Sequence, residues 1–206
     1  MGAMRDSRGR PCEPVSSRSH LAMDRDQDSL LQDSPKGTRW SRYLTARLTL
    51  RPIMAGDFPL LSTIFADPRT TAHRPDPRPE TVEECRQRLD RYLEHWAMHG
   101  FGTWTLEYDG AAIGFGGLSH RDGFAGLNLS YHLHPDCWRH GYASEFAAAA
   151  GDIALQDIGT SRVIGVVRHV NLASRRVLEK TGFILTREIV FGGYPGLLYV
   201  KSCPGS

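Results

Sequence analysis

Cysteine is scarce and scattered in this chain. The four present, Cys12, Cys85, Cys137 and Cys203, stand far apart, and none belongs to a C-x-x-C pair. No apolar stretch of the signal-peptide kind stands near the N-terminus. A disulfide framework is therefore not expected, and a reducing, cytoplasmic setting is. Long hydrophobic runs are missing too. The longest run of small apolar residues, FAAAAG at 146–151, stops at Asp152, far short of the roughly 20 residues that cross a bilayer. No membrane association is expected. A dominant charge is also lacking: 25 Lys and Arg stand against 23 Asp and Glu, a net +2. Wholesale nucleic-acid binding is not expected, and any basic patch has to be local.

What is present is ordinary for a soluble globular protein, with 40% hydrophobic and 23% charged residues over 206 positions. That length suits one domain with a real core, with or without a tail. Residues 1 to 40 mix Arg, Asp, Ser and Pro with few large apolar residues, a composition expected of a flexible tail. Order is expected from 41 to 202.

Within that stretch the pattern is legible. Leu48 and Leu50 alternate with polar neighbours up to Pro52, which reads as a strand. Asp57 is placed to cap a short helix through Leu60, Leu61, Ile64 and Phe65. A polar, proline-rich loop (DPRTTAHRPDPRPE) follows. Thr81 precedes Glu84 by the capping-box interval, and Val82, Cys85, Leu89, Tyr92, Leu93 and Trp96 recur at helical spacing up to Gly100. Asp109-Gly110 lies between two strand-like runs, a hairpin signal. GLNLSYHL at 126–133 reads as another strand, with Leu127, Leu129, Tyr131 and Leu133 on one face and Asn128, Ser130 and His132 on the other. A helix from about Ala143 to Ala154, a buried strand RVIGVV, a helix opened by Asn171 and ended by Gly182, and two closing strands complete the order. The alternation predicts an α/β fold, a mixed sheet with helices on its faces.

The stretch HLHPDCWRHGYASE at 132–145 carries two chemical readings. His132, His134, Cys137 and His140 are four residues of metal-ligating type within nine positions. Against a metal, Pro135 interrupts the strand and no second Cys/His pair stands nearby. The alternative is an anion site: a strand ends, a basic loop turns, and Gly141 opens a helix. The first N–H groups of a helix have no internal partner and mark its positive dipole end, glycine permits close approach of an anion, and Arg139 and His140 would add positive charge. Taken alone, the same residues also read as nothing more than the start of an amphipathic helix.

The order of motifs carries more. WRHGYASE, followed about thirty residues later by NLASRRVLEKTGF, resembles the GNAT superfamily of acetyl-CoA-dependent N-acetyltransferases. Within it, the chain is similar to the Rim-type branch of ribosomal-protein N-terminal acetyltransferases. ARLTLR at 46–51, FGTWTL at 101–106, IGFGGL at 113–118 and Tyr131 sit where that branch has similar stretches, and the likeness spans about residues 44 to 200. The resemblance implies a single GNAT-like domain with a mixed, mostly antiparallel sheet of about seven strands flanked by about four helices. It implies acetyl-CoA as co-substrate and no metal. The loop that Trp138 opens would hold the coenzyme A diphosphate through backbone N–H groups of Arg139, His140, Gly141, Tyr142, Ala143 and Ser144. The backbone of His132 and Leu133 would pair with the pantetheine arm, Asn171 would bond that arm, and Ser174 would face the thiol. In the family pattern R/Q-x-x-G-x-G/A, Trp138 takes the first place, Ala143 the last, and Arg139 replaces a common glycine.

The implied reaction is direct attack of a primary amine on the thioester through a tetrahedral oxyanion, which backbone donors near the end of strand 126–133 would stabilise. Many relatives carry a proton-donating tyrosine seven places after the asparagine; Leu178 stands there, leaving Ser174 as the candidate acid. Rim-like relatives often carry a glutamate where Asn128 stands, leaving His132 or His120 as candidate bases. Each of these side chains also reads as a polar wall residue. Trp104, Phe115, Tyr194, Tyr199 and the loop FGGYPG at 191–196 are candidates for the acceptor cleft, or for core. The favoured acceptor is a peptide or protein α-amine. The alternatives are a drug or polyamine N-acetyltransferase and a coenzyme A-binding sensor without catalysis. The expected partners are acetyl-CoA and an amine, with no nucleic acid, in a monomer or homodimer.

Overall fold

A computed structural model describes residues 42–203; the tail expected at 1–40 falls outside the described residues. The chain runs β1 (Tyr43–Leu44), β2 (Leu48–Pro52), α1 (Phe58–Ala66), α2 (Pro68–Thr71), α3 (Val82–His99), β3 (Thr103–Tyr108), β4 (Ala111–Ser119) and β5 (Leu127–Leu133). It continues with α4 (Tyr142–Asp152), β6 (Arg162–Val167), α5 (Leu172–Lys180), β7 (Ile184–Phe191) and β8 (Tyr194–Ser202). The strands form one sheet in the order β1-β2-β3-β4-β5-β6-β8-β7. Every pairing is antiparallel except β5 with β6. The mixed, mostly antiparallel α/β domain is as expected, with eight strands and five helices in place of about seven and four. The additions are small. A turn closed by Thr45 N–H on the Leu48 carbonyl (2.9 Å) folds Tyr43–Leu44 back as β1. Asp67 accepts from the Arg69 N–H at 2.8 Å and starts the four-residue α2 inside the polar loop.

Local signals explain most boundaries. Thr81 and Glu84 form the reciprocal capping box, with bonds of 2.8 and 3.2 Å, and α3 ends on a left-handed Gly100. Asp109 and Gly110 both take positive φ in the hairpin between β3 and β4. Asp57 departs from expectation. It stands at the N-cap of α1, but its carboxylate makes no cap bond. It accepts instead from Arg51 at 2.7 and 2.8 Å, from the Met54 N–H and from the Thr105 hydroxyl. A paired, nearly buried carboxylate is better satisfied by a guanidinium than by one helix N–H.

Successive residues of β5 point to opposite faces of the sheet. The His132 ring packs on Phe65 of α1 (centroids 4.7 Å apart), while Tyr131 packs toward Phe146 of α4 (6.5 Å). Helices α1 and α3 thus cover one face, with Leu61, Ile64, Phe65, Cys85, Leu89 and Trp96 buried, and α4 and α5 cover the other through Phe146, Ala147, Ala150 and Leu178. Gly165 of β6 lets α5 come close: a Cβ there would lie 2.8 Å from both terminal carbons of Leu178. Leu178 is accordingly a core residue, 3% exposed.

Candidate active site

Strands β5 and β6 lie side by side for only two residue pairs, Leu127 with Val163 and Asn128 with Ile164. Beyond them they separate, so one backbone edge of each faces a gap. The cleft that opens there has a volume of about 1280 Å³, larger than the 300–1,000 Å³ of an ordinary small-molecule pocket. It offers room for a long ligand and a second reactant.

At the mouth of the gap, β5 leads through a short helical turn into the loop before α4. Arg139 and Gly141 both hold left-handed backbone, φ 66° and 83°. The first bond of α4 runs from the Glu145 N–H to the Gly141 carbonyl, so the N–H groups of Tyr142, Ala143 and Ser144 have no partner within the helix. Left-handed turns next to helical N–H groups make a concave anion cradle. Gly141 is required: positive φ strains any other residue, and an added Cβ would meet Arg47 Nη2 at 3.3 Å. Arg47 locks the loop from β2. Its backbone N–H and Nε reach Glu145 at 2.6 and 2.7 Å, Nη1 donates to the His140 carbonyl at 3.0 Å, and its guanidinium lies over the Tyr142 ring. Burial pushes the Glu145 carboxyl up, but the Thr45 and Arg47 donors outweigh it and hold it below the ordinary range.

Residues 47–184 match the family model described as the acetyltransferase (GNAT) domain. The chain belongs to the GNAT acetyltransferase family. It is 27% identical over 144 residues to an uncharacterized N-acetyltransferase, YoaA, of Bacillus subtilis, covering 68% of this chain and 80% of that protein. The acetyltransferase of Agrobacterium tumefaciens superposes with a TM-score of 0.69 at 27% identity, over 78% of this chain and 93% of that one. The aminoglycoside acetyltransferase AAC(6')-Ib, solved with ribostamycin and coenzyme A, shares the fold at a TM-score of 0.65 and 15% identity, over 76% and 94% of the two chains. The protein is thus an acetyl-CoA-dependent N-acetyltransferase. The open strand edge, the cradle and the cleft volume fit that co-substrate.

In this GNAT chain the cleft gathers His132, Leu133, Trp138, Arg139, Gly141, Tyr142, Ala143, Ser144, Asn171 and Ser174. His140 is the exception. Its ring stacks on Tyr142 (5.6 Å, 18°) away from the cleft, so the expected contribution of its side-chain charge is corrected to its backbone alone. The Leu133 carbonyl already accepts from the Trp138 indole N–H at 2.9 Å. Asn171 caps α5 by accepting from the Ser174 N–H at 3.1 Å through Oδ1.

The candidate proton carriers fare differently. Burial first, then the neighbouring Arg88, Arg74 and His73, push His132 down to about 3. The imidazole is neutral at pH 7 but a weak base. His120 sits among the His95, His99 and Phe101 rings and does not border the cleft. Trp104, Phe115 and Tyr199 are core residues, whereas Tyr194 does border the cleft. The four residues of metal-ligating type at 132–140 part company: His132 stacks on Phe65, the His134 Nδ1 faces the Asp136 N–H, Cys137 is buried and His140 lies on Tyr142. Among the described residues, no group of three or more His, Cys, Asp or Glu is arranged to hold a metal.

Three features escaped the sequence reading. The Tyr131 hydroxyl reaches into the cleft 3.5 Å from the Ser174 carbonyl, and burial pushes it up to about 12. Arg121 and Arg168 also border the cleft. Alternation along β5 placed Tyr131 on the face opposite His132, but nothing local shows that this face meets α5 at the gap. Arg47 gave no signal either, because its partner lies 98 positions away.

Proposed function

We propose that this enzyme acetylates a weakly basic primary amine, with the α-amine at a peptide or protein N-terminus as acceptor, as in the Rim-type branch. The observation that carries this reading is the poverty of bases in the cleft. Among the described residues its one bordering carboxylate, Asp76, is largely exposed and paired with Arg78 at 3.2 Å. Asn128 occupies the wall, and His132 is held near 3. An acceptor must therefore bring its own neutral fraction. An α-amine near pKa 8 is roughly a fifth neutral at physiological pH, and a lysine amine near 10.4 only ~0.1%. The gap is worth about 3 kcal/mol.

Acetyl-CoA supplies the activated acetyl group. The backbone N–H groups of Arg139 to Ser144 hold its diphosphate, with the Arg139 guanidinium beside them. Asn171, whose Oδ1 is engaged by its own helix, turns its amide N–H toward the arm. The neutral His132 accepts a hydrogen bond from the incoming amine and orients it. The Tyr131 hydroxyl, with Ser174 beside it, donates the proton that the departing sulfur needs. Leu178, locked on Gly165, has no part in this.

The test is a side-by-side assay of thiol release with peptides offering either a free N-terminus or an internal lysine on a blocked chain. The expected result is a kcat/KM about a hundredfold higher for the α-amine. Preference for the lysine peptide would remove the reading. Tight acetyl-CoA binding with no thiol release on any amine would instead favour a sensor.

A further inference from the structure

Among the described residues, seven arginines border the cleft against the single carboxylate of Asp76, in a chain whose net charge is only +2. Arg139 lies at the diphosphate loop. Arg74, Arg88, Arg121 and Arg168 line the cleft outside that loop. Arg74 and Arg88 share one anion there, Glu80, at 2.7 and 2.9 Å. Arg121 and Arg168 have none: among the described residues, neither is paired with a carboxylate.

Their arrangement is built. Arg168 follows β6 and is anchored to the hairpin between β7 and β8. It donates to the carbonyls of Tyr194 (2.8 Å), Pro195 (3.2 Å) and Phe191 (3.0 Å). A guanidinium carries five N–H donors in a rigid fork, so these three bonds leave Nε–H and one Nη2–H for a ligand. Arg121, from the β4–β5 connection, lies over the Phe191 ring at 5.4 Å, and Arg168 lies over the same ring at 3.4 Å. The two guanidinium carbons therefore stand within about 9 Å of each other, a span that one carboxylate bridges with a charge-assisted bond of about 2.8 Å on each side. Both side chains are half-buried, and burial lowers the pKa of each, with Arg121 adding to the effect on Arg168. Two like charges held against one aromatic ring at the cleft, with no carboxylate partner among the described residues, are a receptor for an anion from elsewhere.

We propose that the acceptor is an amine bearing a carboxylate close to its amino group, and that Arg121 and Arg168 bind that carboxylate over Phe191. The proposal rests on the acetyl-transfer reading of the same cleft. It excludes polyamines and aminoglycosides as preferred acceptors, since both are polycations.

The experiment uses the full chain at saturating acetyl-CoA and two matched pairs of acceptors: a peptide beginning with Asp against the same peptide beginning with Asn, and free alanine against alaninamide. The expected result is a kcat/KM, referred to the neutral amine, at least tenfold higher for the carboxylate-bearing member of one pair or both. The responding pair tells an acidic N-terminus from a free amino acid. Arg121→Gln, which sacrifices no side-chain hydrogen bond to the described residues, is expected to bring that ratio below about three while acetyl-CoA affinity by calorimetry stays unchanged. Arg168→Gln gives the same result if the hairpin survives its loss. Equal rates within both pairs, a faster polyamine, or a ratio that persists in Arg121→Gln would overturn the proposal. Binding of acetyl-CoA with no thiol release from any acceptor would instead fell the acetyl-transfer reading beneath it.

Discussion

Arg139 holds φ at 66°, a left-handed conformation that costs an L-residue about 1–2 kcal/mol. Its position is a common glycine in the family pattern that the sequence resembles. The strain sits at the proposed diphosphate cradle, where an added positive charge would offset it in ligand binding. Arg139→Gly is therefore expected to stabilise the protein while weakening its grip on acetyl-CoA. Relief of ~1 kcal/mol corresponds to a rise in Tm of about 2–4 °C for a domain of this size. Calorimetry is expected to show several-fold weaker binding, and a fall in Tm would refute the strain argument. Tyr131 gives a second prediction at this scale. General acids contribute about 10²–10⁴, but a thiol leaving group with pKa about 8.5 needs less help than most. Tyr131→Phe is expected to lower kcat about tenfold to a hundredfold and to leave KM for acetyl-CoA within about twofold. An unchanged kcat would return the donor role to Ser174 or water.

At the scale of elements, what was legible depended on the range of the determining interaction. The α3 capping box, the Asp109-Gly110 hairpin and the Asn171 cap were all readable, because each is closed within three or four residues. Asp57 was misread for the converse reason. A cap is a local inference, and the Arg51 and Thr105 bonds that claimed its carboxylate come from β2 and β3. The diphosphate loop divides the same way. Gly141 before a helix announced an anion site, but the conformation of the loop is held by Arg47 and Thr45, which meet Glu145 across the fold at 2.7 and 2.6 Å. His140 was assigned a charge role from its neighbours in sequence, and its ring went to Tyr142.

For the molecule as a whole, three half-buried histidines couple stability to pH. His132 is pushed down to about 3 by burial and by Arg88, Arg74 and His73; His73 is lowered by burial, Arg74 and Arg168; His95 is lowered by burial, His99 and His120 against a bond to the Phe101 carbonyl. In the unfolded chain each titrates near 6.5. Between 6.5 and the folded values, the unfolded state binds more protons, so stability falls as pH falls. It is full above about pH 7 and declines through pH 6 and 5, by at most about 1.4 kcal/mol per pH unit for each histidine. Urea midpoints measured at pH 8, 6 and 5 are expected to drop in that order. A flat profile would show that these rings take up protons in the fold as readily as outside it.

The sequence by itself determined the periodicities, the caps and turns, and the spacing between the Gly141 loop and Asn171. Together these specify a GNAT-like sheet with the left-handed loop that we propose as the diphosphate cradle. Interactions within a few residues suffice for that. Only the tertiary structure decided that β5 and β6 part after two pairs, that Leu178 fills the space left by Gly165, that Tyr131 reaches Ser174, and that Arg121 and Arg168 meet over Phe191. Each of these joins residues tens of positions apart, and the basicity of His132 depends on the burial and charges that such contacts create.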